Sequence, residues 1–273
     1  MSLIEFNDVS FAYPNGFVAV ENVSLSIESG ENVAIVGQNG AGKTTTVKMI
    51  NGLLKPTSGS VIVQGVNTHE ETTAQLSRRA GYVFQNPDDQ IFHNTVEEEI
   101  AFGPKVLGFD EKKSKEIVKY AIELTGLEAD VDKNPYDLPL SVRKFVTIAA
   151  VIAMDVDIFI FDEPTAGQDL RGIKILEDLV RELHDKGKTV ITITHDMEYV
   201  ANNYDRVIVM AHKNVLKSDT PARVFRDSEL LAEAMLMPPY ICSLAMDLGI
   251  DEELLTQDDL IDYLLRSGEV KPS

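Results

Sequence analysis

Apolar and polar residues alternate from residue 3 to residue 36, with Ile4, Phe6, Val9 and Phe11 followed by Val18, Val20, Val23, Leu25 and Ile27. A period of two marks strands with one buried face, and turns at Pro14-Asn15-Gly16 and Ser29-Gly30 separate them. Val33 to Val36 is a continuous apolar run, predicted as a buried strand, and Thr44 to Leu54 reads as a helix. Lys55 to Gly59 makes a turn, and Ser60 to Gln64 and Gly81 to Gln85 are predicted strands. The spacing then becomes helical from about Thr95 to Met154: Ile117, Val118, Ala121, Ile122 and Leu124 form an inward stripe within Glu111 to Leu124, and Val142 to Met154 follows. Asp157 to Phe161, Thr189 to Thr194 and Arg206 to Met210 are predicted strands, alternating with helices at Leu170 to Leu183 and Met197 to Ala201. Such alternation specifies a parallel sheet covered on both faces. Beyond Lys217, helix formers interrupted by Pro221, Pro238 and Pro239 predict a small acidic helical tail reaching Ser273.

The bulk properties narrow the function. A chain of 273 residues with 44% apolar content can build a substantial core as one large or two modest domains. Its 25 basic and 44 acidic residues leave a net charge of -19, which repels phosphate backbones and argues against a nucleic-acid-binding surface. The single cysteine, Cys242, cannot form an internal disulfide, as expected of a chain in a reducing cytosol. The N-terminal residues show no basic-then-apolar secretory pattern. The longest apolar stretch, Phe145 to Met154, is about half of what a bilayer span needs. A cytoplasmic location is expected, with any membrane role running through a partner.

The chemistry concentrates in Gly37-Gln38-Asn39-Gly40-Ala41-Gly42-Lys43-Thr44, a GxxxxGK[ST] phosphate-binding loop between the Val33 to Val36 strand and a helix. Glycines let the backbone wrap an anion, and successive N–H groups meet the positive end of the helix dipole. Lys43 can reach β- and γ-phosphates, and the Thr44 hydroxyl can ligate Mg²⁺. Downstream, Ile158-Phe159-Ile160-Phe161-Asp162-Glu163-Pro164 is an apolar strand ending in two carboxylates. Asp162 would orient Mg²⁺, and Glu163 would polarise the attacking water. His195 closes the next strand on the same carboxyl edge of the sheet, where ligands of open α/β folds sit. Gln85 also ends a strand, and its amide can reach Mg²⁺ or water.

In this order the residues resemble the nucleotide-binding subunit of an ABC transporter across nearly the whole chain. The resemblance implies an α/β P-loop NTPase fold with a mixed, largely parallel sheet, an N-terminal antiparallel β subdomain, a helical insert and a small C-terminal helical extension. It divides the chain into a nucleotide-binding domain over residues 1–216, with a helical subdomain at about 95–154, and an extension over 217–273. It implies ATP and Mg²⁺ as ligands. Tyr13 falls where the family stacks an aromatic on adenine, Gly37 to Thr45 is the Walker A segment, and Gln85 is the Q-loop. Asp162 and Glu163 form Walker B with the adjacent catalytic carboxylate, Asp169 is the D-loop and His195 the H-loop. Within the family, Phe84 to Phe92 and Thr95 to Pro104 are similar to the ATPase components of energy-coupling factor importers, which take up vitamins or cobalt and nickel ions.

The family signature, LSGGQ at the start of a helix, meets the γ-phosphate held by the opposite subunit. Here the matching region reads Leu140-Ser141-Val142-Arg143-Lys144 and looks two residues short, as if both glycines were missing. Ser141 is expected to cap the helix and meet a phosphate, with Arg143 and Lys144 either offering charge in place of the glycine backbone or simply solvated. The expected partners are a second ABC ATPase, in a homodimer or a heterodimer, and membrane transport subunits at the cytoplasmic face of the membrane. The segment from Gln85 to about Gly108 is the expected docking region. Two other readings stay open at this point: a soluble ABC ATPase of DNA repair or ribosome function, and a regulatory subunit that binds ATP with little hydrolysis.

Overall fold

The computed structural model describes residues 2–267. The last six residues of the expected C-terminal extension, 268–273, lie outside the described residues. Two antiparallel strands, β1 (Ser2–Ala12) and β2 (Val18–Glu28), open the chain. They are followed by β3 (Asn32–Val36), the phosphate loop and α1 (Lys43–Ile50). Next come β4 (Ser58–Val63), β5 (Val66–Asn67), the one-turn α2 (Thr73–Leu76) and β6 (Ala80–Val83). The helical insert holds α3 (Val96–Leu107), α4 (Glu111–Thr125) and α5 (Leu140–Ile152). The chain re-enters the sheet through β7 (Ile158–Asp162), α6 (Leu170–Asp185), β8 (Thr189–Ile193), α7 (Met197–Asn203), β9 (Arg206–Ala211) and β10 (Asn214–Asp219). Four further helices follow: α8 (Pro221–Phe225), α9 (Ser228–Ala234), α10 (Tyr240–Asp247) and α11 (Gln257–Ser267).

The strands form two sheets. A four-stranded antiparallel sheet runs β2-β1-β4-β5, and a six-stranded sheet runs β10-β9-β3-β8-β7-β6. Within the larger sheet every pairing is parallel except that of β10 with β9. All five residues of β3, β7 and β8 are buried, because both faces of this sheet are covered. Their side chains divide by parity. Val33, Ile35, Ile158, Ile160, Ile191 and Ile193 pack with the antiparallel sheet and α1, while Val36, Phe159 and Phe161 pack with α5 and α6.

The predicted mixed, largely parallel sheet, antiparallel N-terminal sheet and helical insert are all present, and two details differ. The alternation rule missed β10, whose residues are only half-buried because it forms the sheet edge and carries no apolar stripe. Strand pairing therefore runs past the expected boundary at residue 216, to Asp219. Parallel order puts the carboxyl ends of β3, β7 and β8 side by side, and the functional residues follow those ends.

Candidate functional site

The turn after β3 reverses tightly through three left-handed glycines, Gly37 (φ 147°), Gly40 (φ 83°) and Gly42 (φ 102°). Gly42 is also the N-cap of α1, without a capping side chain, so the first N–H groups of α1 point into open space. That space is a cavity of about 860 Å³ lined by residues from Asn39 to Thr45, Gln85, Asp162, Glu163 and His195. Lys43 is buried, and its ammonium donates to the loop's own carbonyls, Gly37 O at 2.6 Å and Gln38 O at 3.1 Å. Burial draws the Lys43 pKa down, against the opposing pull of Glu163 and Asp162.

At the end of β7, both carboxylate oxygens of Asp162 accept from the Thr44 hydroxyl, at 3.3 and 3.2 Å. The buried hydroxyl of Tyr82 donates to Asp162 Oδ2 at 2.6 Å. Tyr82 ionises only far above its ordinary range, through burial first and the Asp162 charge second. Glu163 has a left-handed backbone (φ 52°), and its N–H donates to Ile193 O of β8 at 2.8 Å. Its carboxyl Oε1 lies 3.1 Å from His195 Nε2, which in turn is 3.5 Å from Lys43 Nζ. Burial pushes the Glu163 carboxyl up to about 7, partly offset by Lys43. Burial lowers the His195 pKa, and Lys43 adds to this. An imidazole between a lysine and a carboxyl can both accept and donate hydrogen bonds.

Thr44 and Asp162 offer hard oxygen donors from two directions, and Gln85 lines the same cavity. This donor set fits Mg²⁺, which takes one or two protein oxygens and fills its octahedron with phosphate and water.

Tyr13, Ser141 and Asp169 are not among the residues lining this cavity. The Tyr13 hydroxyl lies 3.2 Å from Thr45 Oγ1, and its ring meets Phe11 edge-on at 4.9 Å, on the antiparallel-sheet side of α1. Ser141 and Asp169 line a separate cavity of about 330 Å³ together with Gln168. Asp169 caps α6, accepting from Gly172 N at 2.8 Å.

The expectations for the signature region need correction. The N-cap of α5 is Pro139, not Ser141, and it makes no side-chain cap bond. Ser141 lies inside the first turn, and its carbonyl accepts from Gln168 Nε2 at 3.1 Å. The helix begins just after Pro139, so Leu140 and Ser141 are its first two residues. Arg143 and Lys144 are not solvated charges facing a phosphate. The Arg143 guanidinium binds Asp88 Oδ1 at 2.6 Å and the carbonyls of Pro135, Tyr136 and Leu138, while Lys144 is only 3% exposed.

Sequence reasoning passed over Tyr82, read Lys144 as a surface charge, and took Met237-Pro238-Pro239 as a family resemblance without placing it at this cavity, which it lines from the C-terminal helices. Signals existed for the positions of Tyr82 and Lys144. A tyrosine in a buried strand needs a partner for its hydroxyl, and Lys144 shares the inward helical stripe of Ile148 and Val151. No local pattern puts the Met237 segment at this cavity, because tertiary packing alone brings it there.

A glycine-lined phosphate loop, its lysine, and a threonine and aspartate placed for a divalent cation, all at the carboxyl edge of a parallel sheet, define a P-loop nucleoside triphosphatase. Residues 20–166 match the family model described as ABC transporter. A putative ABC transporter ATP-binding protein of Pyrococcus furiosus is 46% identical over 213 residues, 78% of this chain and 82% of that protein. The chain belongs to the ABC transporter family. It is 38% identical to the energy-coupling factor transporter ATP-binding protein EcfA of Methanocaldococcus jannaschii, over 99% of this chain and 96% of that protein. It spans only 42% of the length of a longer Methanosarcina acetivorans relative, at 41% identity. Among solved structures, cbiO1 of Clostridium perfringens, part of the ABC transporter complex cbiONQ, superposes with a TM-score of 0.76 at 32% identity, covering 90% of this chain and 99% of that one. The dimeric cassette MJ0796, in a post-hydrolysis state with ADP and Pi, gives 0.72 at 26% identity over 80% of this chain and 98% of that one.

Proposed function

We propose that this chain is the MgATP-hydrolysing subunit of an energy-coupling factor importer, peripheral at the cytoplasmic face of the membrane. The observation that carries this reading is the convergence of Lys43, Thr44, Asp162, Glu163 and His195 on one cavity at the sheet edge. Full-length similarity to EcfA and to cbiO1 supports the importer class. Lys43 and the N–H groups from Gly40 to Thr45 bind the phosphates of ATP. Thr44, Asp162 and Gln85 hold Mg²⁺, which when bound supplies charge neutralisation between the phosphates. Glu163 orients the attacking water and takes its proton, and His195, which contacts the Glu163 carboxyl at 3.1 Å, senses the γ-phosphate. Tyr13 packs beside the base.

Ser141 and Asp169 lie away from this cavity and face a second chain, which completes the site as the cassettes close. The dimeric MJ0796 cassette supports such pairing. With no glycine after Ser141 in its own signature region, this chain completes a partner's site poorly while keeping its own Walker residues intact. That asymmetry favours a heterodimer with a second ABC ATPase over a homodimer. No helix among the described residues is long and apolar enough to cross a membrane, so transport requires membrane subunits. These dock on the face around Phe92, Phe102 and Tyr136, which are large exposed apolar side chains beside the Gln85 segment.

Glu163→Gln tests the hydrolytic role. ATP affinity is expected to stay within a few-fold while turnover falls by about 10²-fold or more. Turnover equal to that of the unaltered chain would remove Glu163 from the reaction.

A further inference from the structure

Lys144 is a lysine in the core. It belongs to α5, the helix that carries the signature region, yet its ammonium lies under the turn that follows β7. Lys144 Nζ donates to Glu163 O at 2.8 Å and to Ala166 O at 3.0 Å. Burial draws its pKa down, and Glu163 and Asp162 act against this. An ammonium is costly to bury without acceptors, so these two carbonyls are what make the position tolerable.

The consequence falls on Glu163. This residue has a left-handed backbone, which side chains other than glycine and asparagine rarely adopt. Its N–H is fixed by Ile193 O, and its carbonyl is gripped by Lys144, with a weaker bond from Ala166 N at 3.4 Å. With both peptide groups held, the Cα–Cβ direction is set, and the carboxyl lands 3.1 Å from His195 Nε2. A second tie lies one helical turn earlier, where Gln168 Nε2 donates to Ser141 O at 3.1 Å. The signature helix and the turn from Glu163 to Gln168 are therefore joined at two points.

We infer that Lys144 is a positioning residue, whose buried ammonium clamps the backbone of Glu163 and so aims its carboxylate at the water it activates. This inference rests on the role of Glu163 proposed above. Lys144 itself touches neither the phosphates nor the metal donors, so its effect must pass through Glu163.

The test is a double-mutant cycle in the full chain, assembled as it turns over, with Lys144→Met and Glu163→Gln singly and together. Single-turnover hydrolysis and ATP affinity are both measured. Lys144→Met is expected to slow hydrolysis by about 30- to 100-fold, the cost of misplacing a reacting group by a fraction of an ångström to an ångström. ATP affinity is expected to stay within about twofold, because the phosphate loop is untouched. In the Glu163→Gln background the same change should leave the residual rate unaltered. An equal loss in both backgrounds, or a loss of ATP affinity that tracks the loss of rate, would overturn the inference and leave Lys144 a structural residue. Should circular dichroism show the Met variant unfolded, Lys144→Gln, which keeps an amide donor, is read by the same two criteria. If Glu163→Gln alone leaves turnover intact, the hydrolytic reading fails; if Glu163→Gln abolishes turnover but Lys144→Met does not slow it, only the clamp fails.

Discussion

Gly42→Ala and Gly40→Ala place the same methyl group in the same loop, two residues apart, and the structure assigns them different costs. Both glycines have positive φ, 102° at Gly42 and 83° at Gly40, so a Cβ at either costs about 1–2 kcal/mol of backbone strain. At Gly40 a Cβ meets nothing within 4 Å, and that strain is the whole penalty. At Gly42 it would come to 2.7 Å from Ala19 O and 3.3 Å from Val20 Cγ2. The carbonyl is backbone of β2, paired into the antiparallel sheet, so it retreats only by disturbing that strand. Overpacking of this kind adds about 1–3 kcal/mol. Gly42→Ala is therefore expected to cost about 2–5 kcal/mol against about 1–2 for Gly40→Ala, a sizeable part of the net stability of roughly 5–15 kcal/mol usual for a folded domain. Equilibrium urea unfolding of the ligand-free protein measures both. With about 2–4 °C of melting temperature per kcal/mol, calorimetry should separate the two variants by several degrees. Equal unfolding midpoints would show that the contact with Ala19 does not constrain the loop, and the argument would be wrong.

Tyr82→Phe should lower ligand-free stability by about 2 kcal/mol, because it strips the buried Asp162 carboxylate of a 2.6 Å hydrogen bond; an unchanged urea midpoint would count against that bond. Glu99→Ala should cost about 2–4 kcal/mol and speed amide exchange at Phe92 and His93, whose N–H groups both donate to Glu99 Oε2 at 2.8 Å; unaltered protection at those amides would refute it. The Glu163 carboxyl is raised by burial from 4.5 to about 7, so its contribution to stability is fully present below about pH 4.5 and is lost as the pH rises through 7. Glu163→Gln escapes that loss, and it should gain on the unaltered chain by up to about 3 kcal/mol between those pH values in ligand-free urea unfolding; a pH-independent difference would rule the burial argument out.

Local pattern carried most of the architecture into view. Continuous apolar runs at Val33 to Val36 and Ile158 to Phe161 marked the two buried strands, and the glycines of the phosphate loop announced their left-handed turn. Pattern fell short where a residue's environment comes from elsewhere in the chain. Edge strand β10 lacks a stripe because only one neighbour pairs with it. Arg143 reads as a surface charge, but its four acceptors come from the loop between α4 and α5 and from Asp88. The start of α5 was misplaced because Ser141 is a good capping residue by type, whereas the chain turns helical just after Pro139.

The sequence by itself determined the chemistry: a run of glycines that only an anion-wrapping loop uses, a lysine and threonine behind it, and two carboxylates closing an apolar strand. These are properties of residue type and spacing, which short-range sterics translate directly into local geometry. Tertiary structure alone decided the relations between them: the 3.1 Å approach of Glu163 to His195, the grip of Lys144 on the Glu163 carbonyl, and the separation of Ser141 and Asp169 from the phosphate loop. Those distances depend on how parallel strands far apart in the chain are ordered in the sheet and on which helix packs beneath them. Long-range packing sets that order, and local periodicity does not encode it.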